Sequence, residues 1–255
     1  MLKVENLSKA FGGVVAMKGV TLDFPARSLT AIIGPNGAGK TTFFNLVSGY
    51  IRADAGSVHL DGEDITGLSS LQIVRRGMCR AFQVASIFPG MSVEESLTAA
   101  VTSRRGDLYA LTVRAPLREA RARAGEIMEL LGLAGRARVL SRNLAHGEQK
   151  LLDIGLALAL EPKVLLLDEP TAGMGAEERW KMIEKVYELW KGGNLTVIFI
   201  EHDMDIVFKI AQSIVVLKYG EVLARGTPDE IRRNQEVIDA YLGTDHRAVE
   251  TGAPR

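Results

Sequence analysis

Apolar residues recur along this chain with two different periods. Short runs around Leu2-Lys3-Val4, Val20 to Phe24, Leu29 to Ile33 and Ser57 to Leu60, the last before an Asp61-Gly62 turn, predict β-strands. After Ile33 a glycine-rich loop leads into Thr41 to Tyr50, where Phe43, Phe44, Leu46 and Val47 suit a buried helix. From Ser92 to about Leu160 the spacing becomes helical. It opens on Ser92-Val93-Glu94-Glu95, a capping-box pattern. Leu117, Ala120, Ala124, Ile127, Met128 and Leu131 form one apolar stripe, and Gly132 supplies a stop. Val164 to Leu167 and Thr196 to Ile200 are unbroken apolar runs, as expected of parallel strands covered on both faces. Helical patterns lie at Glu177 to Trp190 and Asp203 to Ala211. A hairpin around Tyr219-Gly220 then joins Ile214–Leu217 to Glu221–Ala224, and Thr227-Pro228-Asp229 opens a last short helix. The polar stretch from Thr244 to Arg255 reads as a mobile tail.

Composition narrows the class. The 255 residues carry 31 basic and 31 acidic side chains, so no global charge draws the chain to nucleic acid. With 47% hydrophobic and 24% charged residues, a globular fold with a sizeable core is expected. The length admits one large domain with a substantial subdomain. One cysteine, Cys79, excludes an internal disulfide framework. No stretch reads as spanning a bilayer or as a signal peptide, so any membrane role is expected to come through a partner.

The candidate chemistry starts at Gly34-Pro35-Asn36-Gly37-Ala38-Gly39-Lys40-Thr41, which fits G-x-x-x-x-G-K-[ST] between a predicted strand and a predicted helix. Glycines let the backbone curl until its N–H groups converge on phosphate oxygens. The Lys40 ammonium reaches the outer phosphates, and the Thr41 hydroxyl can bind Mg²⁺. Val164-Leu165-Leu166-Leu167-Asp168-Glu169 supplies a strand ending in a carboxylate. Asp168 there can hold the Mg²⁺ shell, and Glu169 can deprotonate a water attacking the terminal phosphate. An apolar strand ending in Asp-Glu is a weak signal alone, and the Lys40 loop gives it weight.

With these motifs in order the chain resembles the ATP-binding subunit of an ABC transporter, from about Leu2 to Leu242. The resemblance implies an α/β P-loop ATPase with an N-terminal antiparallel β subdomain, a mainly parallel core sheet and an inserted helical subdomain. The implied domain is 1–243, with 92–160 as the helical part and 1–91 plus 161–243 as the core. It implies that Phe11 stacks on adenine, that residues 34–41 and Thr42 hold ATP, and that Gln83 touches Mg²⁺ or the attacking water. It further implies that His202 contacts the γ-phosphate. Leu144-Ala145-His146-Gly147-Glu148 takes the place of the L-S-G-G-Q signature, which meets nucleotide held by a second subunit. Ala145, His146 and Glu148 depart from that pattern, and Gly175 stands where the following D-loop has Asp or Asn. These departures imply a working but weaker contact, with an impaired half-site as the alternative.

Arg80-Ala81-Phe82-Gln83, Ile87 to Val93, Ala172-Gly173-Met174, Glu201 to Asp205 and Ala240-Tyr241-Leu242-Gly243 are similar to the ATPases of branched-chain amino acid importers. That likeness implies ATP and Mg²⁺ as cofactors, and permeases and a second ATPase (a homodimer or a sister chain) as partners. It also implies that a solute-binding protein acts indirectly, that no nucleic acid takes part, and that the chain sits on the cytoplasmic face of the membrane. The alternatives are a urea or amide importer, or a soluble cassette acting on nucleic acid or the ribosome. Asp64-Ile65-Thr66-Gly67 spells a GTPase D-x-x-G, but no N-K-x-D guanine-reading motif accompanies it.

Overall fold

The computed structural model describes residues 1–81, 85–104 and 114–241, with the main chain alone at 114–116. Gln83 and the stretch 244–255 therefore lie outside the described residues. The chain divides into two compact units, Met1–Ser70 with the chain from Thr196 onward, and Leu71–Leu195.

The first unit opens with a hairpin of β1 (Leu2–Phe11) and β2 (Val14–Phe24). Gly12 and Gly13 both have positive φ at its tip, as a tight two-residue hairpin turn requires. β4 (Ala55–Leu60) pairs with the other edge of β1, and β5 (Glu63–Asp64) pairs with β4, so the sheet is antiparallel throughout. Leu2, Val4, Leu22, Phe24, Val58 and Leu60 point inward and are almost fully buried. The sequence pattern marks only the inner ends of β1 and β2. Their outer halves bury Leu7 and Met17 but leave Phe11, Val14 and Val15 exposed, and β1 shifts register between Val4 and Ala10, with Asn6 at φ +49°, so alternation breaks down there.

A second sheet in this unit centres on β3 (Leu29–Ile33), flanked in parallel by β8 (Thr196–Ile200) and β9 (Ser213–Lys218). β10 (Glu221–Gly226) returns antiparallel to β9 through Tyr219 and Gly220, both at positive φ. Every residue of β3 and β8 is buried, Thr30 and Thr196 included, as expected of parallel strands covered on both faces. Helix α1 (Lys40–Val47) buries Phe43, Phe44, Leu46 and Val47, and Phe43 meets Phe24 with ring centroids 6.1 Å apart. Helix α7 (Met204–Ile210) starts under Asp203, whose carboxylate accepts from the Asp205 and Ile206 amides. Helix α8 (Pro228–Arg233) opens on a Thr227–Glu230 capping box. A further helix over 235–241, beyond the last short helix that the sequence pattern predicts, starts where Asn234 Oδ1 accepts from Val237 N.

Helix α2 (Ser70–Arg75) leads into the second unit. There β6 (Met78–Ala81) and β7 (Val164–Asp168) run parallel, and between them the chain forms α3 (Val93–Arg104), α4 (Arg114–Leu131) and α5 (His146–Ala159). Helix α6 (Ala176–Gly192) follows β7. The Ser92–Glu95 box forms in full: Glu95 N donates to Ser92 Oγ at 3.2 Å, and Ser92 N donates to Glu95 Oε2 at 2.8 Å. The α4 stripe is buried from Ala120 to Leu131, and Gly132 ends the helix at φ +73°. Cys79 is buried on β6, and that burial pushes its thiol up to about 12, which leaves it no role as a nucleophile.

Gly155 lets α5 approach its neighbours. A Cβ there would lie 2.8 Å from Leu131 Cδ1, 3.1 Å from Leu97 Cδ2 and 3.4 Å from Ile127 Cγ2. Those atoms end flexible side chains, so an alanine would be absorbed and offset by its better helix propensity. Gly155→Leu is expected to cost about 2 kcal/mol or more through overpacking, read as a lowered thermal midpoint.

Candidate functional site

The phosphate loop grows directly from the buried strand β3. Its glycines adopt conformations that side-chain-bearing residues avoid: φ is +152° at Gly34, +77° at Gly37 and +102° at Gly39. Ala38 is buried and tied on both sides, its N–H donating to Pro35 O at 3.1 Å and its carbonyl accepting from Gly220 N at 3.0 Å. Helix α1 begins at Gly39 with no side-chain cap and no acidic residue in its first turn. Its leading amides and positive dipole end are thus left for an anion. Lys40 is buried, and its ammonium donates to Gly34 O at 2.7 Å and Pro35 O at 3.1 Å. Asn36, Gly37 and Thr41 are exposed, while Pro35 and Thr42 are half-buried. This is a cradle with one cation tethered inside it.

Sequence reasoning missed one member of this loop. The Gly34 N–H donates to the hydroxyl of Tyr241 at the end of the 235–241 helix, and burial pushes that phenol up to about 12, so it stays neutral. Tyr241 drew attention only as part of Ala240-Tyr241-Leu242-Gly243. No spacing signal connects it to residue 34.

Two further predicted residues belong to the same unit. Phe11 stands at the β1–β2 tip with 48% of its surface open, and the Lys9 ammonium lies 5.5 Å from its ring centroid. An aromatic face of that kind can stack on a base. His202 is exposed on the short connection from β8 to α7, and its backbone N–H donates to Glu201 Oε2 at 3.1 Å. Glu201 itself is buried.

In the second unit β7 ends at Asp168, a carboxylate only 3% exposed. Arg80 Nη2 donates to Asp168 Oδ2 at 2.6 Å. The other oxygen, Oδ1, is buried with no hydrogen-bond partner among the described residues. A hard anionic oxygen held in this way fits Mg²⁺, which takes oxygen ligands. Glu169, half-buried, follows with φ +47°, a left-handed conformation uncommon for a side-chain-bearing residue. Such outliers concentrate at functional sites.

The predicted signature segment starts α5. Leu144 is buried and Ala145 is the N-cap, with no side chain able to accept. Glu148 makes the reciprocal half of a capping box: its Oε2 accepts from Ala145 N at 3.0 Å and its Oε1 from Arg136 Nε at 2.8 Å. Burial alone would raise the Glu148 carboxyl, but the bonds from Arg136 and Ala145 outweigh it and hold the group below its ordinary value. His146 lies against the segment that precedes Gly175, with His146 Nε2 3.2 Å from Ala172 O and a Cβ at Gly173 falling 3.3 Å from the same nitrogen. Gly147 faces Met174. Ala145 and Glu148 therefore brace the same helix start, and His146 ties it to Ala172.

Comparison with known proteins decides the family. Residues 17–172 match the ABC transporter family, and residues 221–247 match the branched-chain amino acid ATP-binding cassette transporter family. The chain belongs to the ABC transporter family. A high-affinity branched-chain amino acid transport ATP-binding protein, LivG of Salmonella typhimurium, is 39% identical over 249 residues, covering 95% of this chain and 98% of the relative. A probable LivG from Archaeoglobus fulgidus is 36% identical over 255 residues and 99% of both chains. Among solved structures, an ATP-binding cassette of an ABC transporter in its ADP conformation superposes with a TM-score of 0.82 at 30% identity, over 95% of this chain and 98% of that one. A dimeric cassette bound to ADP and Pi gives 0.76 at 25% identity, over 89% and 99%. This ABC cassette thus has the α/β fold that its motifs predict. None of its described helices is long and apolar enough to cross a membrane.

Proposed function

We propose that this ABC cassette binds and hydrolyses ATP to energise an importer of branched-chain or other hydrophobic amino acids. The observation that carries the reading is the Gly34–Thr41 cradle, with Lys40 tethered inside it and α1 uncapped above it. Similarity to LivG along nearly the whole chain supports the transported class.

In this reading residues 34–42 grip the phosphates and Phe11 stacks on adenine. Thr41, Asp168 and Gln83 would hold Mg²⁺, which neutralises phosphate charge when bound. Glu169 takes a proton from the attacking water, while Lys40 and His202 stabilise the γ-phosphate as charge develops on it. Leu144, Ala145, His146, Gly147 and Glu148 present the start of α5 to nucleotide on a second ATPase subunit. ATP would then draw the subunits together and hydrolysis would release them. Glu148, satisfied within its own chain by Arg136 and Ala145, acts by holding the helix start rather than by touching nucleotide. The permeases place the chain on the cytoplasmic face, and a solute-binding protein delivers the cargo to them.

The test is reconstitution in proteoliposomes with the permeases and binding protein of the same gene cluster. ATP hydrolysis stimulated by leucine, isoleucine or valine supports the reading. Stimulation by urea or short amides alone overturns the cargo, and failure to associate with any permease overturns the transport role.

A further inference from the structure

Phosphate chemistry calls for a carboxylate at Asp168 but not for the arginine that grips it. β6 and β7 pair in parallel with Arg80 opposite Leu166 and Ala81 opposite Leu167, which brings the Arg80 side chain to the end of β7. The guanidinium and the carboxylate are 2.6 Å apart and only 6% and 3% exposed. Removing either partner would leave a buried charge uncompensated, and that cost is severe. The bond engages Oδ2 alone, and Oδ1 stays buried without a hydrogen bond among the described residues. A fixed cation beside a metal-binding oxygen opposes the metal electrostatically, so Arg80 does not serve metal affinity. It serves two other ends. It locks the carboxylate in one orientation with a single oxygen presented, and it balances the Asp168 charge while no metal is bound.

We propose that Arg80 is a positioning residue and built-in counter-cation for Asp168, which lets the anionic nucleotide bind before Mg²⁺ arrives. The inference rests on the reading of Asp168 as the metal carboxylate of the ATP site. It predicts that loss of the arginine weakens nucleotide binding without weakening metal binding, a split that a merely structural role would not produce.

The experiment uses the full chain, a fluorescent ADP analogue titrated in EDTA, and Mn²⁺ binding to the ADP-loaded protein followed by electron paramagnetic resonance. In R80Q, metal-free ADP binding should weaken by about ten-fold or more, as expected for an uncompensated charge in a partly shielded interior. Mn²⁺ affinity should hold or rise. R80K, which keeps the charge, should retain most metal-free binding. D168N should lose Mn²⁺ while keeping metal-free ADP. If R80Q does not fold, the R80Q/D168N double variant leaves neither charge unbalanced and should fold and bind metal-free ADP like D168N. Parallel losses of ADP and Mn²⁺ in folded R80Q overturn the inference alone. So does no change in either, or a double variant as weak for metal-free ADP as R80Q. A wild-type chain that binds no ADP overturns the nucleotide reading as well.

Discussion

Glu169→Gln is expected to slow ATP turnover by about a hundred-fold or more, the usual scale for removing a positioned general base. Nucleotide binding should survive, because the amide is isosteric and the phosphate contacts lie in the Lys40 loop. With hydrolysis blocked, ATP should accumulate a dimer visible by gel filtration with light scattering, and ADP should not. The geometry supports Glu169 over its acidic neighbours. Asp168 is buried at the end of β7, with one oxygen on Arg80 and the other read as the metal ligand. Glu201 is buried and accepts from the backbone of His202. Glu169 is half-buried and leaves the strand at φ +47°, a conformation that a smooth strand exit would not need. Unchanged turnover in the variant would remove Glu169 from the role, and loss of binding together with turnover would point to a collapsed loop instead.

Gly34→Ala should be as damaging by a wholly different route. A Cβ at this position would lie 2.2 Å from Leu217 O and 2.9 Å from Ala38 Cβ, with φ at +152°. The first obstacle is backbone of a buried strand and cannot swing aside. Ile33 pairs with Val216 across β3 and β9, so the clash could be relieved only by shifting the register or tearing the loop from the strand. Both choices sacrifice the Lys40 tether to Gly34 O and the Gly34 N–H bond to Tyr241. The expected cost is about 4 kcal/mol or more, in the range reserved for severe core lesions, together with loss of measurable ATP binding. Gly37→Ala is the control. Its added Cβ meets nothing within 4 Å, so only the φ of +77° is penalised, by about 1 kcal/mol. Thermal melts and nucleotide titrations of the two variants side by side should separate them clearly. Equal behaviour would mean that the approach of Leu217 to the loop is not rigid.

Much of the fold was legible from local chemistry. The bounds of β3 and the Ser92–Glu95 box follow from contacts within a few residues, as do the Gly132 stop and the Tyr219-Gly220 hairpin. Composition and short-range sterics encode such contacts directly. The outer halves of β1 and β2 escaped because register shifts and exposed apolar residues at the tip erased their alternation. The phosphate loop and the Asp168–Glu169 strand end were legible for a related reason: a tight backbone curl demands glycines in fixed order, and a carboxylate must end an apolar strand to reach a metal.

The sequence by itself determined the chemistry on offer: a glycine cradle with its lysine, a paired acidic strand end, and a helix start altered at Ala145, His146 and Glu148. Tertiary structure alone decided which distant groups restrain that chemistry. Strand pairing set Arg80 on Asp168 and Leu217 against Gly34, a terminal helix brought Tyr241 to the Gly34 amide, and the chain's return after β7 brought Ala172 to His146. These contacts join residues many positions apart through sheet order and helix docking. Local periodicity carries no record of either, because it describes how a segment folds and not which segment comes to lie beside it.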